Sequence, residues 1–134
     1  MSQGNVEIAR RSFKAWQDDD YETWIGLQHA DVEYLGAVAR RLGQDVYRGH
    51  EGASELWRVW RSEVEGFWIE SEEIRAAGDG RVVHLGQMGF RGSASGIKVE
   101  SQLALVITVR DGKIVRSMDY MNHQDALHAV GLEE

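Results

Sequence analysis

The chain contains no cysteine and no proline. Without cysteine there is no disulfide, no thiolate nucleophile and no cysteine-ligated zinc, so thiol redox chemistry is excluded. Without proline, and with no repeat or low-complexity tract, nothing marks a linker between domains. Long apolar runs are also missing. No stretch approaches the roughly 18 residues of a membrane-spanning helix, and the start, Met1-Ser2-Gln3-Gly4-Asn5, lacks the basic-then-apolar pattern of a secretory leader. The expectation is a cytoplasmic protein with no membrane partner. Positive charge is scarce: 15 Lys and Arg stand against 22 Asp and Glu, a net charge of −7. That field opposes phosphate backbones, so nucleic acid is not an expected partner.

What the chain does have is a core. Its 134 residues are 43% hydrophobic and 28% charged, which suits one globular domain over residues 1–134. Val6, Ala9, Phe13 and Trp16 recur at helical spacing, giving a helix from about residue 5 to 17 with Asn5 as its cap. Asp18-Asp19-Asp20 interrupts it and caps a second short helix carrying Tyr21, Trp24, Ile25 and Leu27. Val32-Glu33-Tyr34-Leu35 alternates like a strand, whereas residues 36–46 lose all periodicity and read as a mobile loop. A third helical face follows in Ala53, Leu56, Trp57, Trp60 and Val64.

From Phe67 onward, turn signals at Gly78-Asp79-Gly80, Gly92-Ser93-Ala94-Ser95-Gly96 and Asp111-Gly112 separate four strands joined as hairpins. Asp111-Gly112 is the firmest, since a type I′ turn needs positive φ at both central residues. Strands near 97–110 and 113–121 are therefore adjacent and antiparallel. A short helix capped by Asn122 and stopped by Gly131 ends the chain. The fold class is α+β, helices first and a curved antiparallel sheet after.

Several motifs fail on inspection. Gly92–Gly96 has Ala94 where a nucleophile elbow needs serine, and His50-Glu51 has Ser54 where a zincin needs its second histidine. No histidine spacing suggests a metal, and no glycine-rich loop suggests a nucleotide or other cofactor. What remains are ionisable groups within strands. Alternation puts Asp119 on one face with Val115, Ser117 and Met121. That face meets either solvent or an apolar pocket. In the second case lost solvation raises the carboxyl pKa and makes it a proton carrier near neutral pH. His84 is either a core histidine or a catalytic one. Trp16, Tyr34, Trp57 and Trp60 serve as core, as a ligand platform, or both.

In order along the chain, Asn5-Val6-Glu7-Ile8, His29-Ala30-Asp31-Val32-Glu33, Tyr47-Arg48-Gly49-His50-Glu51-Gly52 and Arg110-Asp111-Gly112-Lys113-Ile114-Val115-Arg116 running into Tyr120 resemble the SnoaL-like branch of the nuclear transport factor 2-like, ketosteroid-isomerase-like superfamily. The resemblance implies a cone of helices against a bent sheet, open at one end to a small-molecule pocket, and a homodimer formed through the sheet. It leaves the reaction open, because the scaffold hosts cyclases, isomerases, epoxide hydrolases and non-catalytic modules. In the SnoaL-like cyclases the catalytic carboxylate lies seven residues after the hairpin glycine. Here that position is Asp119.

Other family positions depart from the pattern. The cyclases' histidine corresponds to Leu105. The isomerase base on the first strand corresponds to Tyr34. The arginine and second aspartate of the epoxide hydrolases correspond to Gly86 and Met88. His84, two residues from Gly86, is a replacement partner for Asp119. The expected function is a cofactor-independent cyclase- or isomerase-type acid–base enzyme acting on a small apolar, cyclic or carbonyl-bearing molecule. Asp119 transfers the proton, His84 or Tyr34 binds the oxyanion, and Trp16, Trp57, Trp60, Met88, Leu105, Ser117 and Met121 form the substrate walls. A hydrophobic ligand-binding module and an epoxide hydrolase with a non-standard catalytic set are the alternatives.

Overall fold

Apolar side chains at helical spacing build α1 (Ser2–Gln17), and Asp20 caps α2 (Tyr21–Gly26) by accepting from the Thr23 amide at 3.3 Å. The structure is a computed structural model that describes residues 2–132. Met1, Glu133 and Glu134, the ends of the domain expected over 1–134, lie outside the described residues. Asn5 falls inside α1 and is not its cap. After β1 (Gln28–Gly36) the segment expected to be a mobile loop is instead ordered as a helical turn, α3 (Ala37–Arg41), and a short strand, β2 (Val46–Arg48). Elements this short carry no readable period, which is why the sequence pattern goes quiet there.

α4 (Gly49–Glu63) precedes four long strands, β3 (Val64–Gly78), β4 (Arg81–Gly92), β5 (Lys98–Arg110) and β6 (Lys113–Tyr120), and α5 (His123–Ala129) follows. The hairpin turn at Asp111-Gly112 has φ of 54° and 75°, as a type I′ turn requires. Asn122 caps α5 through the Asp125 amide at 2.8 Å. Past Gly131 the Leu132 amide reaches back to the Leu127 carbonyl at 2.8 Å, a Schellman closure.

The six strands form one curved sheet in the order β2-β1-β6-β5-β4-β3. Every pairing is antiparallel except that of β1 with β6, which is parallel. This pairing joins the early and late parts of the chain, and Gly36 faces Asp119 in its register. Helices α1, α2 and α4 cover one face, with Trp24, Val32, Ile107 and Ile114 buried beneath them. On the other face Ala126, Leu127 and Val130 pack against Val83, Leu85 and Ala104. The helical layer is pinned to the sheet by Arg61. Its guanidinium lies 3.5 Å from the Trp57 ring centre, 4.6 Å from Trp16 and 5.1 Å from Phe67. Nε and Nη2 bond to Asp19 and to the Trp16 carbonyl at 2.5 and 2.9 Å.

No helix among the described residues is long and apolar enough to cross a membrane. Because stacking on three rings depends on a planar cation, Arg61→Lys is expected to lower stability by about 1–2 kcal/mol. Chemical denaturation checks this, and an unchanged midpoint would show that the stack is only incidental contact.

Candidate functional site

A residue row crosses the inner face of the sheet: Gly36 on β1, Asp119 on β6, Leu105 on β5, His84 on β4 and Ile74 on β3. Two residues back along β6, Ser117 pairs with Tyr34 on β1 and with Ile107 on β5. Between this face and the helices lies a cavity of about 100 Å³. Ser12, Phe13 and Trp16 reach it from α1, Trp24 from α2, Leu56 from α4, and Val38 and Ala39 from α3. The sheet contributes Tyr34, Leu35, Ile69, Met88, Leu103, Leu105, Ile107, Ser117 and Asp119. Asp119 is the lone charged residue in that lining.

Asp119 is 9% exposed. Its Oδ2 accepts the Val38 amide at 3.0 Å. Burial pushes the carboxyl from 3.8 up to about 6, against the opposing pull of the Val38 amide, its own amide, the Arg40 charge and the Ala37 amide. Desolvation outweighs four favourable contacts because the surroundings are hydrocarbon. Tyr34 donates its hydroxyl to Gln28 Oε1 at 2.8 Å, and Gln28 Nε2 donates to the Trp24 carbonyl at 2.9 Å. Burial raises the phenol well above its ordinary value, opposed by side-chain hydrogen bonds with Ser12, Gln28 and Trp24. It is therefore a neutral donor at any working pH.

His84 does not join this group. It lies on the same row, but Leu105 stands between it and Asp119. At roughly 4.8 Å per strand that separation is far beyond a hydrogen bond. The imidazole is 1% exposed, with the Phe13 ring 4.1 Å away and Nε2 on the Ser71 hydroxyl at 2.7 Å. Nδ1 is buried with no partner. Burial, helped by the Arg10 charge, depresses its pKa to about 4. The expected His84–Asp119 partnership is absent, and His84 is a neutral core histidine.

Of the expected walls, Trp16, Met88, Leu105 and Ser117 line the cavity. Trp57 and Trp60 do not. Trp57 packs edge-on to Trp16 and under Arg61, and Trp60 packs against Phe90. A helix face that broad turns only part of itself to the hollow, here Leu56. Met121 is also displaced, lying past the end of β6 at 38% exposure. Val115 leaves the expected face because the β5–β6 register shifts beside it, where Val109 pairs with Ile114 and Thr108 with Arg116. Ile114 takes the core place instead.

Sequence reasoning did not place Ser12, Phe13, Trp24, Leu35, Leu56, Ile69, Leu103, Ile107 or the α3 residues in the site. Ser12 carried a signal, a small polar residue between Ala9 and Phe13 on an otherwise apolar helix face. Val38 carried none, since it acts through its backbone. Among the described residues no three His, Asp or Glu side chains are grouped to hold a metal ion.

The SnoaL-like domain family matches residues 9–117. The chain belongs to this family. Solved structures agree on the nuclear transport factor 2-like fold of this SnoaL-like domain. TerC, co-crystallised with polyporic acid, is 25% identical with a TM-score of 0.76, covering 95% of this chain and 97% of that one. A nuclear transport factor 2-like protein from Burkholderia thailandensis is 18% identical with a TM-score of 0.79, covering 97% and 98%. A protein with a ketosteroid isomerase-like fold from Catenulispora acidiphila, in complex with trimethylamine, is 17% identical with a TM-score of 0.72, covering 94% and 93%. No curated protein sequence matches. Asp119, the aspartate counted from the hairpin glycine, lines the cavity and lies two residues past the matched span.

The two perturbed groups act on stability with opposite signs. Asp119 binds its proton more tightly in the folded state, so its contribution is complete below about pH 4 and is lost as the pH rises through about 6. His84 binds its proton less tightly, so its contribution is present above 6.5 and is lost as the pH falls through about 4. Asp119→Asn keeps the shape without the charge. It is expected to stabilise the protein at neutral pH by up to about 3 kcal/mol, a gain that closes toward pH 4. Denaturation across pH reads this directly, and a variant less stable than wild type at neutral pH would show that the carboxyl is not desolvated.

Proposed function

We propose that the protein is an acid–base enzyme of the cyclase or isomerase type, acting on a small, largely apolar molecule that carries a carbonyl group or a ring. One observation carries the reading: a single carboxyl, lifted to about 6, lines a cavity whose other walls are mostly hydrocarbon and aromatic. A proton carrier works best when its pKa lies near the working pH. In the proposed step the Asp119 carboxylate takes a proton from carbon beside the substrate carbonyl, the electron pair moves onto oxygen, and the Tyr34 hydroxyl donates to that oxygen. Asp119 then returns the proton elsewhere on the same molecule. For this Tyr34 must exchange its bond to Gln28 for one to the substrate.

The size of the hollow supports a compact substrate. An apolar cavity of roughly 150 Å³ holds a benzene ring, so about 100 Å³ suits a ligand of trimethylamine size. A ligand as large as polyporic acid exceeds that volume, and the walls must give to admit it. A homodimer through the sheet and a cytoplasmic location belong to the same proposal. Trp68, Ile97 and Met121, at 39%, 63% and 38% exposure, supply apolar surface for association.

A second reading, a binding module without chemistry, draws support from the Tyr34 hydroxyl, which already has a partner in Gln28. The epoxide hydrolase reading has no support from the lining residues, which include no arginine and one carboxylate. Carbon NMR titration of the Asp119 carboxyl separates the first two. A midpoint near 6 favours proton transfer, and a midpoint near the ordinary 3.9 or so favours the binder. Once a turned-over substrate is in hand, Asp119→Asn is expected to lose about 10²–10⁴ in kcat, and full turnover by that variant would sink the enzymatic reading.

A further inference from the structure

Gly36 is the last residue of β1, where the chain turns into α3, and its φ is +121°. A β-carbon at this position would stand 2.5 Å from the Asp119 carbonyl oxygen, 2.7 Å from its nitrogen and 2.7 Å from Oδ1. All three distances lie inside van der Waals contact, so the carboxyl partly occupies the volume that a side chain at residue 36 would fill. The second oxygen is held separately, by the Val38 amide at 3.0 Å. One residue supplies room and the other a donor, and together they address both oxygens of one group.

We propose that the Gly36–Val38 corner is a positioning element for Asp119, seating the carboxyl against the cavity wall instead of letting it swing into the hollow. The inference rests on the reading of Asp119 as the proton-transfer group and names the residues that fix its placement. The charges around it are few. Arg40 on α3 is the charged side chain that acts on Asp119. Tyr34 is the other titratable residue of the lining, and His84 lies beyond Leu105. Displacement from the corner therefore exchanges amide contact for hydrocarbon.

The far side of α3 offers a control. Gly43 also has positive φ, +86°, but a β-carbon there would meet nothing within 4 Å. Alanine at either glycine strains a positive-φ backbone, and of the two only Gly36 lies against Asp119. The experiment is a carbon NMR titration of Asp119 in the full chain for wild type, Gly36→Ala, Gly43→Ala and Val38→Pro. Gly36→Ala is expected to raise the Asp119 midpoint by about one unit or more, because a lost hydrogen bond to a carboxylate is worth about a factor of ten in proton affinity. Val38→Pro removes the amide hydrogen while adding nothing at residue 36, and it should move the midpoint the same way. Gly43→Ala should leave the midpoint unmoved while still lowering stability.

Wild-type midpoints in both Gly36→Ala and Val38→Pro, or an equal shift in Gly43→Ala, overturn the proposal. Should Gly36→Ala not fold, the contrast between Val38→Pro and Gly43→Ala decides alone. A wild-type midpoint of ordinary acidity removes the enzymatic reading, whereas a wild-type midpoint near 6 with unmoved variants removes only the seat.

Discussion

The desolvation of one carboxyl sets the terms for everything around it. Asp119 stands at the end of β6, next to the chain crossing at Gly36 and under the first turn of α3, with hydrocarbon on its remaining sides. A charged group so placed costs free energy unless it takes a proton or finds donors. The structure supplies both in part. Amides of α3 support the ionised form and burial supports the neutral one, and the two are close enough in strength that the group can exchange its proton near neutrality. Remove α3 and the carboxyl loses its donors. Open the cavity and it becomes an ordinary surface acid.

The contrast between Asp119 and His84 shows how one sheet face holds two buried ionisable groups without pairing them. Leu105 separates them along a single row, so neither partners the other, and burial, the largest influence on each, moves the acid up and the imidazole down. Both are uncharged together between about pH 4 and 6, and above that range the carboxyl alone carries charge. The Trp16, Trp24 and Trp57 cluster, with ring centres 5.0 to 5.4 Å apart, then forms a rigid roof held by the Arg61 stack.

Much of this was legible in the sequence where local rules dominate. The Asp111-Gly112 hairpin, the Asp20 and Asn122 caps and the four long strands follow from turn chemistry and alternation, whereas the count from the hairpin glycine to Asp119 comes from the family resemblance. The illegible parts have physical causes of their own. α3 is five residues long, too short for a period to appear. Val38 contributes a backbone amide, which every residue but proline has. The β5–β6 register shift moved Val115 out of step, and no pattern within β6 announces it. Trp57 and Trp60 belong to an apolar helix face wider than the hollow it covers, and spacing cannot say which part of such a face meets a cavity.

The parallel pairing of β1 with β6 carries a consequence for the order of assembly. It joins residues 28–36 to residues 114–119, contacts between distant parts of the chain that are slow to form because a long loop must close first. The hairpins from β3 to β6 are local and able to gather early. Only when β1 is paired with β6 do Gly36 and the α3 amides lie beside Asp119. Its raised hold on a proton thus belongs to the closed sheet and not to β6 alone.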